Sequence, residues 1–306
     1  MTVVRPPLSI LYNQRSGFHA PHREQLYACV LDLFKAYGFE LQVFDLNQVL
    51  DFDGLMQSLI DYHHQAEKPG MIVVAGGDGT LNTVIGKLLQ SDIPIGILPL
   101  GTFNYVARAL HIPLDLLEAA RVILTGQDRT IHVATLNGRA YLNNASLGLY
   151  PLFIQRREQF NRYLGRFSWH AYSSALDVLL RAREQLQLSL EVNGEHYPID
   201  TPLIFFGNNQ LQLQQMNLQV AECAAKGRIA GVAVASGDKW TLLKMVWLLL
   251  RGTLEQASEI QSFCATEVTV RCKRSKLMVA IDGELAEMET PLRFGVHPHA
   301  VKIRVL

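Results

Sequence analysis

The 306-residue chain has little cysteine, no net charge and no long apolar run, and each shortage removes a class of protein. Its four cysteines, Cys29, Cys223, Cys264 and Cys272, show no C-x-x-C spacing. They read as buried thiols in a reducing compartment rather than as a disulfide framework or a zinc site. With 28 basic against 28 acidic residues, no global field attracts nucleic acid or an anionic surface, and any such contact must be local. The longest apolar run, Trp240 to Leu250, contains Lys244 and is about half the ~20 residues that a bilayer span needs. It invites a membrane-surface reading, against which a buried amphipathic helix that turns Lys244 and Arg251 outward is the better reading. The opening Met-Thr-Val-Val-Arg-Pro-Pro lacks the cationic start, apolar core and cleavage site of a signal peptide. Repeats, low-complexity tracts and long linkers are also missing. The expectation is a cytoplasmic protein with no nucleic-acid partner and no transmembrane segment, and its 49% apolar content can fill two cores.

Glycine is where the chain becomes informative. An apolar run from Met71 to Ala75 ends in Gly76-Gly77-Asp78-Gly79-Thr80, followed by Asn82. Without Cβ atoms, Gly76, Gly77 and Gly79 let backbone N–H groups approach a polyphosphate, at the positive end of a helix starting near Thr80. A carboxylate repels bare phosphates, so Asp78 in this turn suggests a cation or a proton to be removed, that is, Mg-nucleotide chemistry. Asp-Gly is also a strong hairpin dipeptide. The apolar residues at 81, 84, 85, 88 and 89 form a helical stripe and argue against a hairpin.

Up to about residue 130, short apolar runs alternate with helical patterns: strands at 8–12, 40–44, 71–75 and 95–98, and helices at 20–37, 51–66, 80–90, 102–110 and 114–125. That alternation predicts a parallel sheet with helices on its faces, and ligands in such sheets bind beyond the carboxyl ends of strands. Further on, short alternating segments punctuated by Asn137-Gly138, Asn193-Gly194 and Asp282-Gly283 predict an antiparallel β domain, interrupted by helices near 168–183 and 239–251. Asn13-Gln-Arg-Ser16-Gly17 and Pro99-Leu-Gly101-Thr102-Phe-Asn104 end other strands of the first part. Asn13, Ser16, Thr80, Thr102 and Asn104 could therefore surround one polyphosphate with donors.

With these motifs in order, and Asp282-Gly283-Glu284 late in the chain, the sequence resembles the diacylglycerol kinase catalytic family, in particular the bacterial soluble lipid kinases related to sphingosine kinases. The Gly-Gly-Asp-Gly-Thr element alone is shared with NAD kinases. Asn104, followed by Ala107-Arg108, and the Asp-Gly-Glu element are what favour a lipid kinase. The resemblance implies an α/β fold with an N-terminal parallel-sheet nucleotide-binding domain, residues 1–130 with 296–306 returning to it. It also implies a C-terminal antiparallel β-sandwich domain, residues 131–295, and ATP with Mg²⁺ in the cleft between the two. Asn13, Ser16, Gly17, Gly76, Gly77, Gly79, Thr80, Gly101, Thr102 and Asn104 are then expected at the nucleotide. Asp78 is the Mg²⁺-linked or catalytic acid, Glu284 the base for a lipid hydroxyl, and Asp282 its orienter or a water-mediated metal ligand. The partner is a lipid substrate at a membrane surface, which adds a peripheral position at the inner membrane to the cytoplasmic expectation.

The departures bear on the same reading. Many relatives carry an acid where this chain has Tyr105 and another where it has Thr83. An Asp-Asp-Gly structural metal segment of many bacterial members is replaced by Ala225-Lys226-Gly227-Arg228-Ile229, where no metal is expected. Two other readings stay open: a kinase of a soluble metabolite such as NAD, and a non-catalytic nucleotide- or lipid-binding module. Residues 150–169 carry Arg156, Arg157, Arg162 and Arg166 among aromatics, a segment that fits either a lipid surface or a solvated loop. His63-His64 is expected on a helix with one ring inward, His297-Pro-His299 as a turn, and the Gln/Asn-rich stretch 208–219 as a polar loop.

Overall fold

The computed structural model describes residues 5–13, 21–152, 154, 185–235, 239–251, 253 and 257–306. The chain forms two compact units, one comprising Met1–Val133 with Pro298–Leu306 and the other Ala134–His297.

In the first unit β1 (Pro7–Tyr12), β2 (Glu40–Asp45), β3 (Met71–Gly76) and β4 (Ile95–Pro99) lie parallel in the order β2-β1-β3-β4. The last part of β16 (Leu292–Val305) adds to β4, with Ile303 opposite Ile95. β3 and β4 are buried at every residue, as strands covered on both faces must be, which is why their sequences read as unbroken apolar runs. The helices are α1 (Pro21–Ala36), α2 (Phe52–Gln65), α3 (Asp78–Lys87), α4 (Tyr105–Ala109) and α5 (Leu116–Thr125). α1 packs on α5 and β2, α5 on β4, α2 on α3, and α3 on β3. Local chemistry fixes their starts. Asp51 caps α2 by accepting the Gly54 N–H at 2.9 Å, and Asp115 caps α5 by accepting from Leu117 and Glu118. His63 is the inward ring of its pair, hydrogen-bonded through Nε2 to Ser9 Oγ at 2.9 Å, while His64 bonds the Ser91 carbonyl.

The second unit is an antiparallel sandwich. One sheet joins the first part of β16 to β13 (Glu267–Arg271), β8 (Leu186–Val192) and β9 (Glu195–Thr201). The other runs β12-β11-β10-β7-β14-β15, with β7 at Asn144–Gly148, β10 at Leu203–Gly207, β11 at Ile229–Val234, β12 at Ile260–Ala265, β14 at Lys276–Ile281 and β15 at Glu284–Glu289. Between the sheets lie Leu188, Leu190, Val268, Val270, Ala145, Leu147, Ile204 and Val279, and Phe206 stacks on Phe294 with centroids 3.9 Å apart. On the far side of the second sheet Leu213, Val220, Ala224, Val232 and Leu242 make a second cluster. β11 is therefore buried on both faces. β5 (Gln127–Leu136) and β6 (Arg139–Tyr141) form a hairpin beside β16. The expected turns at 137–138, 193–194 and 282–283 all connect paired strands, and both residues of each have positive φ (48 and 82°, 50 and 89°, 48 and 85°), the left-handed pair that two-residue hairpins use.

The α/β parallel-sheet fold with an antiparallel sandwich is thus the architecture of this chain. Four local expectations need correction. Cys223 and Cys264 form a disulfide, with Cα atoms 5.8 Å apart, and Cys29 is exposed. Spacing could not reveal that pair, because β-sheet pairing of β11 with β12 brings residue 264 to the helix before β11. His297–His299 belongs to β16 rather than to a turn, with a local kink at His299, φ 51°. The stretch 208–219 contains a short helix, Gln210–Gln215, capped by the Asn209 side chain. The Trp240 helix, Lys239–Leu250, packs Leu242 inward but carries apolar residues all round and turns both its tryptophans outward. Ser16, Gly17 and the expected helix at 168–183 lie outside the described residues, as does the arginine-rich stretch 156–166.

Candidate functional site

The strand order β2-β1-β3-β4 reverses direction between β1 and β3, and the crevice beyond the carboxyl ends of those two strands is the topological switch point of the sheet. The glycine turn sits there. Asn13, the residue after β1, donates its backbone N–H to Ala75 O at 3.0 Å and its side-chain N–H to Thr80 Oγ1 at 3.0 Å. Asn13 Oδ1 in turn accepts from Asn47 Nδ2 at 3.4 Å, and Asn47 holds Asp45 Oδ1 through its backbone and side chain, both at 2.9 Å. Burial works to raise the Asp45 carboxyl, but hydrogen bonds from Asn47, Tyr12 and Gln48 outweigh it and hold the group below its ordinary range. A polar chain Asp45–Asn47–Asn13–Thr80 thus crosses the ends of three strands. Asp45 and Asn47 escaped the sequence reading because a lone Asp-x-Asn after a strand is also ordinary turn chemistry.

α3 begins at Asp78 with Gly77 as its N-cap, and no side chain caps it. Its first internal bond is Leu81 N–H to Gly77 O, 3.0 Å, so the N–H groups of Asp78, Gly79 and Thr80 have no acceptor within the helix. Close packing explains three of the glycines. A Cβ on Gly76 would lie 2.7 Å from Thr80 Cβ, and one on Gly101 would lie 2.6 Å from Gly77 Cα and 2.8 Å from Asn104 Oδ1. The Gly76-Gly77 turn and the Leu100-Gly101 turn touch backbone to backbone, which only glycine permits.

Asn104 holds the second turn from inside. It is buried, adopts the left-handed conformation (φ 50°, ψ 47°), accepts the Gly101 N–H at 2.9 Å and donates to Gly101 O at 2.8 Å. Arg108 Nε closes the same turn on Phe103 O at 2.9 Å. Asp78 then ties the two turns together: Oδ2 accepts from Tyr105 N–H at 3.1 Å and Oδ1 from Val106 N–H at 3.2 Å. These are backbone contacts, so the tyrosine at 105 leaves them intact. Thr83 bonds back to Gly79 O at 2.9 Å, and its side chain is spent on its own helix. Asn82, one turn beyond Asp78 on α3, is buried with Oδ1 unpartnered. Asn13, Gly76, Gly77, Asp78, Gly79, Thr80, Gly101, Thr102 and Asn104 therefore belong to one cluster of adjoining turns in the first unit.

Asp282 and Glu284 belong to the second unit. Asp282 occupies the β14–β15 hairpin turn, and its carboxylate accepts three backbone N–H groups: Leu142 at 2.9 Å, Asn143 at 2.9 Å and Asn144 at 2.8 Å. Around that same segment, Asn208 Nδ2 donates to Leu142 O, Asn209 Nδ2 to Asn143 Oδ1, and Asn144 Nδ2 to Gln212 Oε1. Burial, then the Asp282 charge, pushes the wholly buried Tyr141 hydroxyl far above its ordinary range. Glu284 is exposed and ion-paired with Arg139 at 3.0 Å. Among the described residues no group of three or more His, Cys, Asp or Glu side chains could hold a metal ion. At the 225–229 segment Lys226 instead pairs with Glu222 at 3.7 Å on the surface.

The family profile of the diacylglycerol kinase catalytic domain matches residues 7–136, from the first residue of β1 to the last of β5. Residues 7–136 are thus similar to a diacylglycerol kinase catalytic domain. A diacylglycerol kinase of Staphylococcus aureus (strain JH9) is 28% identical over 207 residues, 67% of this chain and 62% of the relative. The crystal structure of a diacylglycerol kinase from Bacillus anthracis str. Sterne superposes with a TM-score of 0.72 at 18% identity, covering 100% of this chain and 99% of that one. At that identity the likeness establishes the shared fold. The matched catalytic domain contains every described residue of the turn cluster, and Asp282 and Glu284 lie outside it. No helix among the described residues is long and apolar enough to cross a membrane.

Proposed function

We propose that the protein is an ATP-dependent lipid kinase that transfers the γ-phosphate to a hydroxyl of diacylglycerol or a related lipid alcohol. One observation supports this reading above the others: the start of α3, with three backbone donors lacking an acceptor, opens at the switch point of a diacylglycerol kinase catalytic domain. Backbone N–H groups at a helix start suit a polyphosphate, and the Thr80 hydroxyl and Asn13 amide stand beside them. Ser16 and Gly17 are proposed to complete the phosphate site from the segment after β1.

The donor set also fits Mg²⁺ brought in with the nucleotide. Such an ion takes one or two protein oxygens besides phosphate. Asp78 keeps lone pairs beyond its two N–H bonds, and the buried Asn82 Oδ1 one turn away has no other partner. Bound there, Mg²⁺ would neutralise charge on the phosphates. Asp78 itself ties the two glycine turns together through the Tyr105 and Val106 N–H groups, which supports a shared phosphate site. We assign Glu284 as the base that takes the proton of the acceptor hydroxyl. The hydroxyl oxygen then bonds to the γ-phosphorus as the bond to the leaving ADP oxygen breaks. Asp282 is a positioning residue, ordering the backbone around its hairpin.

The test is transfer of labelled γ-phosphate from Mg-ATP to mixed micelles of diacylglycerol, monoacylglycerol, ceramide, sphingosine or phosphatidylglycerol, with Asp78→Ala and Glu284→Ala proteins alongside. Label in one lipid, lost in both variants, is the expected result. ATP binding with no labelled lipid from the panel would overturn the proposal in favour of a soluble acceptor or a binding module.

A further inference from the structure

The helix Lys239–Leu250 carries a feature that the phosphoryl-transfer site does not use. Its inner side is anchored: Leu242 is buried in the second apolar cluster and Leu248 packs against it. Its outer side presents Trp240, Lys244, Trp247 and, just past the helix end, Arg251, spaced i, i+4, i+7 and i+11 along one face. All four are exposed, the tryptophans at 66% and 51%. Between Asp238 and Glu255 the sequence has no acid.

Two exposed indoles on one helix face, about 10 Å apart along the axis at 1.5 Å per residue, are costly in water. The anchored inner face prevents them from rotating inward. The Arg251 guanidinium lies 3.9 Å from the Trp247 ring centroid, and Lys244 reaches Glu259 at 2.7 Å while its side chain stays half exposed. Rings and cations therefore alternate along a single exposed stripe. Four side chains on one helix cover a few hundred Å², well short of the roughly 800 Å² per partner that a stable protein interface needs. Indoles at headgroup depth with cations on phosphates are what a bilayer interface selects.

We infer that this helix face is a docking surface for an anionic phospholipid bilayer, lying in the plane of the headgroups with Trp240 and Trp247 inserted and Lys244 and Arg251 on lipid phosphates. Binding there requires no turnover, so the inference stands or falls separately from the proposed kinase activity.

The experiment is co-sedimentation of the full chain with phosphatidylcholine vesicles, with and without phosphatidylglycerol. The wild type is expected to partition onto the anionic vesicles and to be released by salt. Trp240→Ala/Trp247→Ala should lower the partition coefficient on the order of tenfold or more, and Arg251→Ala by a smaller factor, with the thermal transition unchanged because all three side chains are exposed. A second measurement covers misfolding of the double variant. In the Trp169→Phe protein only Trp240 and Trp247 fluoresce, and vesicles with brominated acyl chains should quench them. Equal partition of the double variant, or no quenching, would refute the inference. So would vesicle binding that survives the double substitution while a dimer becomes a monomer on gel filtration, since that assigns the face to a second copy of the chain.

Discussion

Replacing Asp282 with asparagine is the sharpest test of how the second unit is held. The carboxylate accepts three backbone N–H groups at 2.8–2.9 Å, two on Oδ1 and one on Oδ2. Asparagine tolerates the left-handed φ of 48° as well as aspartate does, so the hairpin turn itself is spared. Its amide oxygen can keep the two bonds made by Oδ1, each weakened by about 0.5–1.5 kcal/mol as the acceptor loses its charge. Its NH₂ group faces the Leu142 N–H, a donor against a donor, which leaves a part-buried amide unsatisfied at about 1–3 kcal/mol. The sum is about 4 kcal/mol. For a unit running from Ala134 to His297, that is a fall in Tm of roughly 8–16 °C at about 2–4 °C per kcal/mol. Calorimetry is the right assay, because separate transitions of the two units would both be visible. Glu284→Gln is the control: it removes only an exposed pair with Arg139 and should shift the transition by less than about 1 kcal/mol. An Asp282→Asn protein that melts with the wild type would refute the assignment of Asp282 as the tie for residues 142–144.

Two further perturbations address the first unit. Gly101→Ala puts a methyl group 2.6 Å from Gly77 Cα, and because the obstacle is backbone the two turns must part. The expected cost is about 1–3 kcal/mol with weaker ATP binding by equilibrium titration, and unchanged stability would show that the turns do not pack as described. His63 gives a pH dependence. Burial first, then the neighbouring His64, pulls its pKa from the usual 6.5 down to about 4. The unfolded chain therefore binds the extra proton more readily. The contribution is intact above pH 6.5 and is lost as pH falls from 6.5 towards 4. The full shift corresponds to about 3 kcal/mol, which partial solvation reduces to about 1–2. Urea midpoints across that window should fall more steeply for the wild type than for His63→Gln, and parallel curves would contradict the assignment.

The parallel sheet was legible because burial on both faces writes unbroken apolar runs, as in Met71–Ala75. The hairpins were legible because positive φ at two adjacent residues demands Asn-Gly or Asp-Gly. The turn cluster was legible as a set of residues but not as a set of roles. Gly76, Gly77 and Gly101 looked like phosphate approaches, and the structure gives them packing work as well: glycine tolerates both, and sequence cannot separate the two. Asn104 looked like a donor to nucleotide, but its amide is engaged at both ends by Gly101. Asp45 and Asn47 were missed because the network that gives them meaning runs through Asn13 and Thr80, far away in sequence. The outward tryptophans of the Lys239–Leu250 helix were missed for a related reason. Its apolar residues encircle it, and only the packing of Leu242 and Leu248 decides which side faces the core.

Asp78 and Asp282 share a device: each carboxylate accepts backbone N–H groups from a segment distant in sequence, 27–28 residues away for Asp78 and 138–140 for Asp282. Loss of activity on removing either acid therefore does not reveal whether chemistry or loop placement was lost. For Asp78 the two can be separated. The bonds to Tyr105 and Val106 are 3.1 and 3.2 Å, at the long end of the range, and asparagine keeps one acceptor. If loop placement were the whole role, Asp78→Asn would cost about 1–2 kcal/mol of stability, raise KM for ATP and leave kcat within about tenfold. If the charge also serves Mg²⁺ and the transferring phosphoryl group, kcat falls by about 10² or more while Mg-free nucleotide binds almost as before. The second pattern is expected. The polarity of the site favours it: a negative charge beside phosphates is unfavourable for binding them, and the tie to Tyr105 and Val106 alone could be made by an uncharged side chain. The first pattern, a KM effect with kcat preserved, would reduce Asp78 to a strut between the two glycine turns.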